Sequence, residues 1–209
     1  GLRADDVEAM LAAAPDLVIE AAHPDVVRQS GRRILQVADF MPLSLTALAD
    51  ETILSALLGT ARRHATRLYV PHGAIVGADA LLESREQWQD VAIEFRKPPA
   101  SVGAADTAPD GERPAEASVL FDGSARDIAA RYPRNVNAMV ACALLTIGLD
   151  RCRARLIADP ALTRAELHIH ATGVDGSELF IVRRQPIVGV SGTEMARSLR
   201  ESREKLVRN

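Results

Sequence analysis

Several things are scarce in this chain of 209 residues. Aromatic side chains are 3% of it, which leaves few platforms on which bases could stack, and Lys+Arg at 25 against Asp+Glu at 28 gives a formal charge of −3 with no basic field. Together these exclude a nucleic-acid binder. There is no apolar run of membrane length and no secretory leader, so the chain is expected to be cytoplasmic, with no membrane partner. Cysteine occurs only as Cys142 and Cys152, expected to be reduced thiols rather than a disulfide framework. No G-x-G-x-x-G turn of the kind that cradles a pyrophosphate is present either.

What is abundant is apolar surface, 47% of residues, enough for one large or two small cores. The most apolar stretch, Tyr132 to Gly148, places Val136, Met139, Val140, Ala143, Leu144 and Ile147 at helical spacing, and its other side is small or apolar too. A helix without a charged face must be buried on nearly all sides. Arg134, Asn135 and Asn137 are expected at its start, beside free backbone N–H groups that suit an anionic or amide-bearing ligand.

From the amino end, a helix over Ala4–Ala14 precedes Leu17–Ala22, an apolar run that reads as a strand buried on both faces. A helix opened by Pro24, a strand within Phe40–Leu48, a helix capped by Asp50 and a strand over Arg67–Val70 follow. Short connections between alternating helices and strands indicate a parallel sheet, whose carboxyl edge would carry Glu20–His23, Leu45–Leu48 and Pro71–Ala74 along a ligand crevice.

Beyond residue 85 the texture changes. Val91–Arg96 alternates as a strand with one wet face, Ala100–Ser118 is expected to be a mobile surface loop, and Val119–Phe121 is another strand. After the central helix come strands over Arg151–Ala158, Glu166–Ala171 and Glu178–Arg184, each with period-two alternation, and then a capping box, Ser191 to Glu194, for a closing helix over residues 193–207. The fold class is therefore α/β: an incomplete Rossmann-like parallel sheet in residues 1–85, then an α+β domain with an antiparallel sheet in residues 86–209. Glu166, His168 and His170 share one strand face, a workable metal geometry; pairing with arginines such as Arg153 and Arg183 is the preferred explanation, and no metal is expected.

Seven segments, PDLVIEAAHPDVV, DFMPLSLTALADE, PHGAIVGADAL, RKPP, LFDGSA, YPRNVN and ADPALTR, together resemble, in order, the aspartate dehydrogenase family, nearest its animal-type branch. The resemblance implies an oxidoreductase taking L-aspartate to iminosuccinate with NAD or NADP, and a homodimer. It implies cofactor contacts at Ala74, in Pro71-His72-Gly73-Ala74 where the family has Pro-Ser-Gly-Ala, and at Asn137. The amino-dicarboxylate substrate would need cations, for which Lys97, Arg96 and Arg134 are available.

Two departures bear on activity. The family opens with a strand and Gly-rich turn that this sequence does not contain, which implies feeble NAD(P) binding by this chain. Counting on from Asn137 without gaps, the family's catalytic histidine falls on Leu167 and the asparagine two before it on Ala165; the Asn-Pro-Lys-Thr segment becomes Val190-Ser191-Gly192-Thr193, without its lysine. Leucine cannot move a proton. His168, which would need a bulge to reach the same face, and His72, in the crevice loop, are the substitutes to weigh. The alternative is a non-redox homologue that binds an amino acid or imine, or acts as an interaction subunit.

Overall fold

A computed structural model describes residues 6–71, 75–102, 116–188 and 191–192. The chain divides into two compact units at Pro71 and His72. Helix α4 (Ala78–Glu83), which the sequence grouped with the first half, belongs to the second unit.

In the first unit α1 (Val7–Leu11) leads into β1 (Leu17–Glu20), α2 (Pro24–Leu35) and β2 (Asp39–Pro42). The strands are parallel, Leu17 opposite Asp39 and Glu20 opposite Pro42. Buried Val27, Ile34 and Leu35 give α2 the face that packs on them. The expectation that β1 is buried on both faces fails, because Ile19 is 38% exposed while Val18 and Glu20 are buried. An apolar run reads alike whether one face or two are covered.

The strand expected within Phe40–Leu48 stops at Pro42, which has no N–H to extend the ladder. A fully buried 3-10 helix, Leu45–Ala49, follows. Helix α3 (Glu51–His64) starts as expected, the Asp50 carboxylate accepting from the N–H groups of Thr52 (2.9 Å) and Ile53 (3.2 Å). Instead of a full third strand, Arg67–Val70 makes a single parallel bridge, Leu68 to Phe40, closed by Phe40 N to Arg67 O (2.9 Å) and Tyr69 N to Phe40 O (2.8 Å).

The second unit is built on a five-stranded sheet of β3 (Trp88–Lys97), β4 (Ser118–Ser124), β5 (Arg153–Ala158), β6 (Ala165–Gly173) and β7 (Glu178–Gln185), in the order β4-β5-β3-β6-β7. All pairings are antiparallel, as expected, save β3 with β5, so the sheet is mixed. The short strands β8 (Ile187–Val188) and β9 (Ser191–Gly192) pair with each other. Helices α5 (Ala125–Arg131) and α6 (Asn137–Leu145) pack on one face of the sheet, and α6 also meets α4. Buried Val91, Ile93, Ala154, Leu156, Leu167, Ile169 and Ala171 line that face.

Helix α6 is as deeply buried as its composition requires: Met139, Val140, Ala141, Cys142 and Ala143 have no exposed surface. It begins five residues later than the sequence indicated, at Asn137. Tyr132 stands before Pro133 and so avoids the helical region; it ends α5 with φ −127° and ψ 61°, its ring edge-on to Phe121 at 6.3 Å. Residues 133–135 turn instead, placing Arg134 and Asn135 ahead of the helix. At the other end Gly148, at φ +92°, donates its N–H to Ala143 O and leads the chain toward β5. Both cysteines are free and buried; the thiol of Cys152 and burial hold the Cys142 thiol protonated, with its pKa well above the ordinary value.

Among the described residues no helix is long and apolar enough to cross a membrane. The expected closing helix over 193–207 and most of the expected loop lie outside the described residues. Trp88 is the sole tryptophan, buried, its indole N–H donating to Leu81 O at 2.8 Å, so its fluorescence reports on the second unit. Met139→Ala should leave a cavity against the sheet and lower the stability of this unit by about 2–5 kcal/mol in urea unfolding followed at Trp88.

Candidate functional site

At the carboxyl edge of the first unit, β1 ends in Glu20, only 4% exposed. Its Oε1 accepts from Ala22 N (2.6 Å), His23 N (2.8 Å) and Ser44 Oγ (3.0 Å), and its Oε2 from Ser44 N (3.1 Å). One carboxylate thus holds the segments that follow both strands. The sequence placed Glu20 on this edge without giving it a role; the signal was an acidic residue closing an otherwise apolar strand. His72 and Ala74, on the same expected edge, lie outside the described residues.

In the second unit the strand register decides which side each residue serves. Phe95 is opposite Leu167, and Arg96 is opposite Glu166. The pairing runs unshifted from Val91 to Arg96, so the bulge that would bring His168 to the side of Leu167 is absent. Leu167, 4% exposed, faces the helices; His168 faces away, its Nε2 2.9 Å from Glu166 Oε2.

Lys97, two residues beyond Phe95, shares the helix side. It is 7% exposed, and its ammonium stands 5.1 Å from the centre of the Phe95 ring. A cation over an aromatic face is stabilised where water is excluded. Lys97 pairs with Ala158 and follows the Arg96–Glu166 pair, so it borders Ala165 and Leu167. Asn137 opens α6 on the same side of the sheet, partly exposed. Arg134 is exposed in the preceding turn, while Arg96 is on the opposite face, engaged with Asp159 (3.5 Å) and Glu94 (3.6 Å).

That opposite face is a network of ion pairs. Arg153 grips Asp122 through two 2.7 Å contacts, Arg155 binds Glu94 at 2.8 Å, and Arg184 binds Glu166 at 2.6 Å. His170 is 3.0 Å from Glu178 and stacks on Phe180 at 4.2 Å. The expected partners Arg153 and Arg183 are thus corrected to Arg184 for Glu166. Arg184 stands directly opposite it, whereas Arg183 is opposite Leu167. Among the described residues no group of three His, Cys, Asp or Glu is placed to hold a metal ion.

Both units can be set beside known proteins. The family model described as the C-terminal part of aspartate dehydrogenase matches residues 79–198. The chain belongs to the aspartate dehydrogenase family. Residues 2–71 match the model described as the NAD-binding domain of homoserine dehydrogenase. L-aspartate dehydrogenase of Methanosarcina acetivorans is 38% identical over 167 residues, 77% of this chain and 60% of that protein. L-aspartate dehydrogenase 1 of Bordetella pertussis is 37% identical over 163 residues, 77% and 61% of the respective chains. The chain therefore spans about three fifths of the length of these relatives. Aspartate dehydrogenase of Thermotoga maritima, whose crystal structure superposes with a TM-score of 0.77 at 24% identity over 91% of this chain and 75% of that one, shares the fold.

The ion-pair face makes a prediction about pH. Glu166 titrates below the usual carboxylate range, chiefly through its hydrogen bond from Arg184 and next through His168. A carboxyl whose pKa falls on folding adds stability above its unfolded value, roughly 4.3, and loses it as pH falls through the lower folded value. Arg184→Ala should therefore destabilise the protein at neutral pH, and the gap to the unmodified chain should narrow in acid, as read by unfolding free energy against pH.

Proposed function

We propose that the protein is an aspartate dehydrogenase-type oxidoreductase: L-aspartate and NAD or NADP give iminosuccinate, the reduced cofactor and a proton. The observation that carries this is the pairing of matches, a NAD-binding domain over the first unit and an aspartate dehydrogenase C-terminal domain over the second. The dinucleotide, when bound, supplies the hydride acceptor. The residues present fit its nicotinamide end: β1 and β2 end at one edge, where Glu20 holds the following backbone, and ligands of parallel sheets lie beyond that edge.

The remaining work falls to the chain's own side chains. Asn137, at the start of α6, and Ala74 are the proposed cofactor contacts. Lys97 is the proposed partner of a substrate carboxylate, because it is the buried cation beside the positions where the family carries asparagine and histidine. Arg134 is a second, exposed cation for the same substrate. The substrate's ammonium must lose a proton before or during hydride loss. His168 faces the wrong side for that, which leaves His72 as the proposed base. Two buried free thiols support a cytoplasmic setting, and the charged sheet face, uncovered by helices among the described residues, supports a homodimer. The balance of charge supports neither nucleic acid nor membrane as a partner.

A non-redox homologue, binding the amino acid or its imine or serving as an interaction subunit, is the alternative. The burial of Leu167 at the family's histidine position favours it. The two separate in an assay of NAD(P)H formation from L-aspartate by the full-length protein. Oxidoreduction predicts turnover that falls roughly 10²- to 10⁴-fold in His72→Ala and stays within about twofold in His168→Ala. A silent enzyme that gains turnover with Leu167→His would instead mark a chain that has given up the chemistry.

A further inference from the structure

Glu20 is a buried acid that the proposed chemistry does not use. Its surroundings are specific. Pro42, its register partner, has no N–H, and the ladder is continued by Leu43 N donating to the Glu20 backbone carbonyl at 2.8 Å. The side chain then takes the four contacts described above, two from the turn after β1 and two from Ser44 after β2. His23 is the N-cap of α2, and Ser44 that of the 3-10 helix Leu45–Ala49. A single residue therefore sets the starting point of both segments at the edge where a ligand of a parallel sheet lies. Only a carboxylate meets the demand. Four donors converge on the two oxygens, three on Oε1 and one on Oε2, and an amide would set its own NH₂ against one of them.

We infer that Glu20 is a positioning residue for the nicotinamide dinucleotide, fixing the backbone of residues 21–23 and 43–44 as one rigid edge without touching the cofactor itself. At 4% exposure, with both oxygens engaged, it has no group left for a ligand. This inference rests on the dinucleotide function proposed above. It implies that loosening either loop weakens the dinucleotide and leaves the amino-acid side of the reaction alone.

Three variants of the full-length protein test it: Glu20→Gln, Glu20→Ala and Ser44→Ala. In Glu20→Gln the amide oxygen can keep Ala22, His23 and the Ser44 hydroxyl while its NH₂ opposes Ser44 N–H. Amide hydrogen exchange should then rise at Ser44 and stay slow at Ala22 and His23, whereas Glu20→Ala should release all three. The KM for NAD or NADP should rise about tenfold in Glu20→Gln, equivalent to the loss of one net hydrogen bond to a charged group. The rise should be smaller in Ser44→Ala, and kcat and the KM for L-aspartate should stay within about twofold in both. If Glu20→Ala does not fold, the other two variants carry the test. Faster exchange at Ser44 with an unchanged KM for dinucleotide overturns the inference while leaving the proposed function standing, and so does a uniform loss in kcat and both KM values. An unmodified full-length protein that binds neither NAD nor NADP overturns both together.

Discussion

One constraint organises the second unit: among the described residues helices cover a single face of its sheet, and α6, which has no polar side to offer water, must lie on it. Burial of Met139, Val140 and Ala143 of α6, which meets β3, together with Ile93, Leu156 and Ile169 of the sheet removes a large apolar area from water, at about 25 cal/mol for each Å². That fixes which face of each strand turns inward, and a slip of one residue would expose the whole set. Once the faces are fixed, the chemistry is sorted as well. Lys97 and Leu167 go inward, and Glu94, Arg96, Glu166 and His168 go outward into the ion-pair network. His168 is excluded from the inner side by packing rather than by its own chemistry.

The first unit depends on a polar constraint instead. Two parallel strands have little area with which to define the loops beyond them, and the second ends at a proline that cannot extend the ladder. The Glu20 carboxylate takes over where the backbone pattern stops. Ser44, captured by it, turns the chain into a 3-10 helix whose five residues are all buried, so a run that continues apolar past Pro42 does not continue as strand.

Membership of the aspartate dehydrogenase family and the residues that depart from it stand side by side in this chain. On the helix side of the sheet Ala165 and Leu167 stand at the positions where the resemblance to the family puts asparagine and histidine, and a buried lysine lies over an aromatic ring beside them. A buried ammonium is costly unless its surroundings stabilise it, so Lys97 is set apart from exposed cations such as Arg134.

How much of this was legible beforehand depended on range. Strands β6 and β7, the cap at Asp50, the buried central helix and the opposite aims of Leu167 and His168 could be read from spacing, because local periodicity and local capping set them. The parallel pairing of β3 with β5, the partner of Glu166, the exposure of Ile19, the late start of α6 at Asn137 and the role of Glu20 could not. Each depends on what lies opposite, many residues away: Arg184 rather than Arg183 faces Glu166 because of the β6–β7 register, and Glu20 meets Ser44 only because β1 and β2 lie side by side. The sequence by itself determined which residues are apolar, where helices are capped and which side chains share a face. Only the tertiary structure decided which faces are covered and which distant donors converge on one acid, since those contacts exist only when separate segments are brought together.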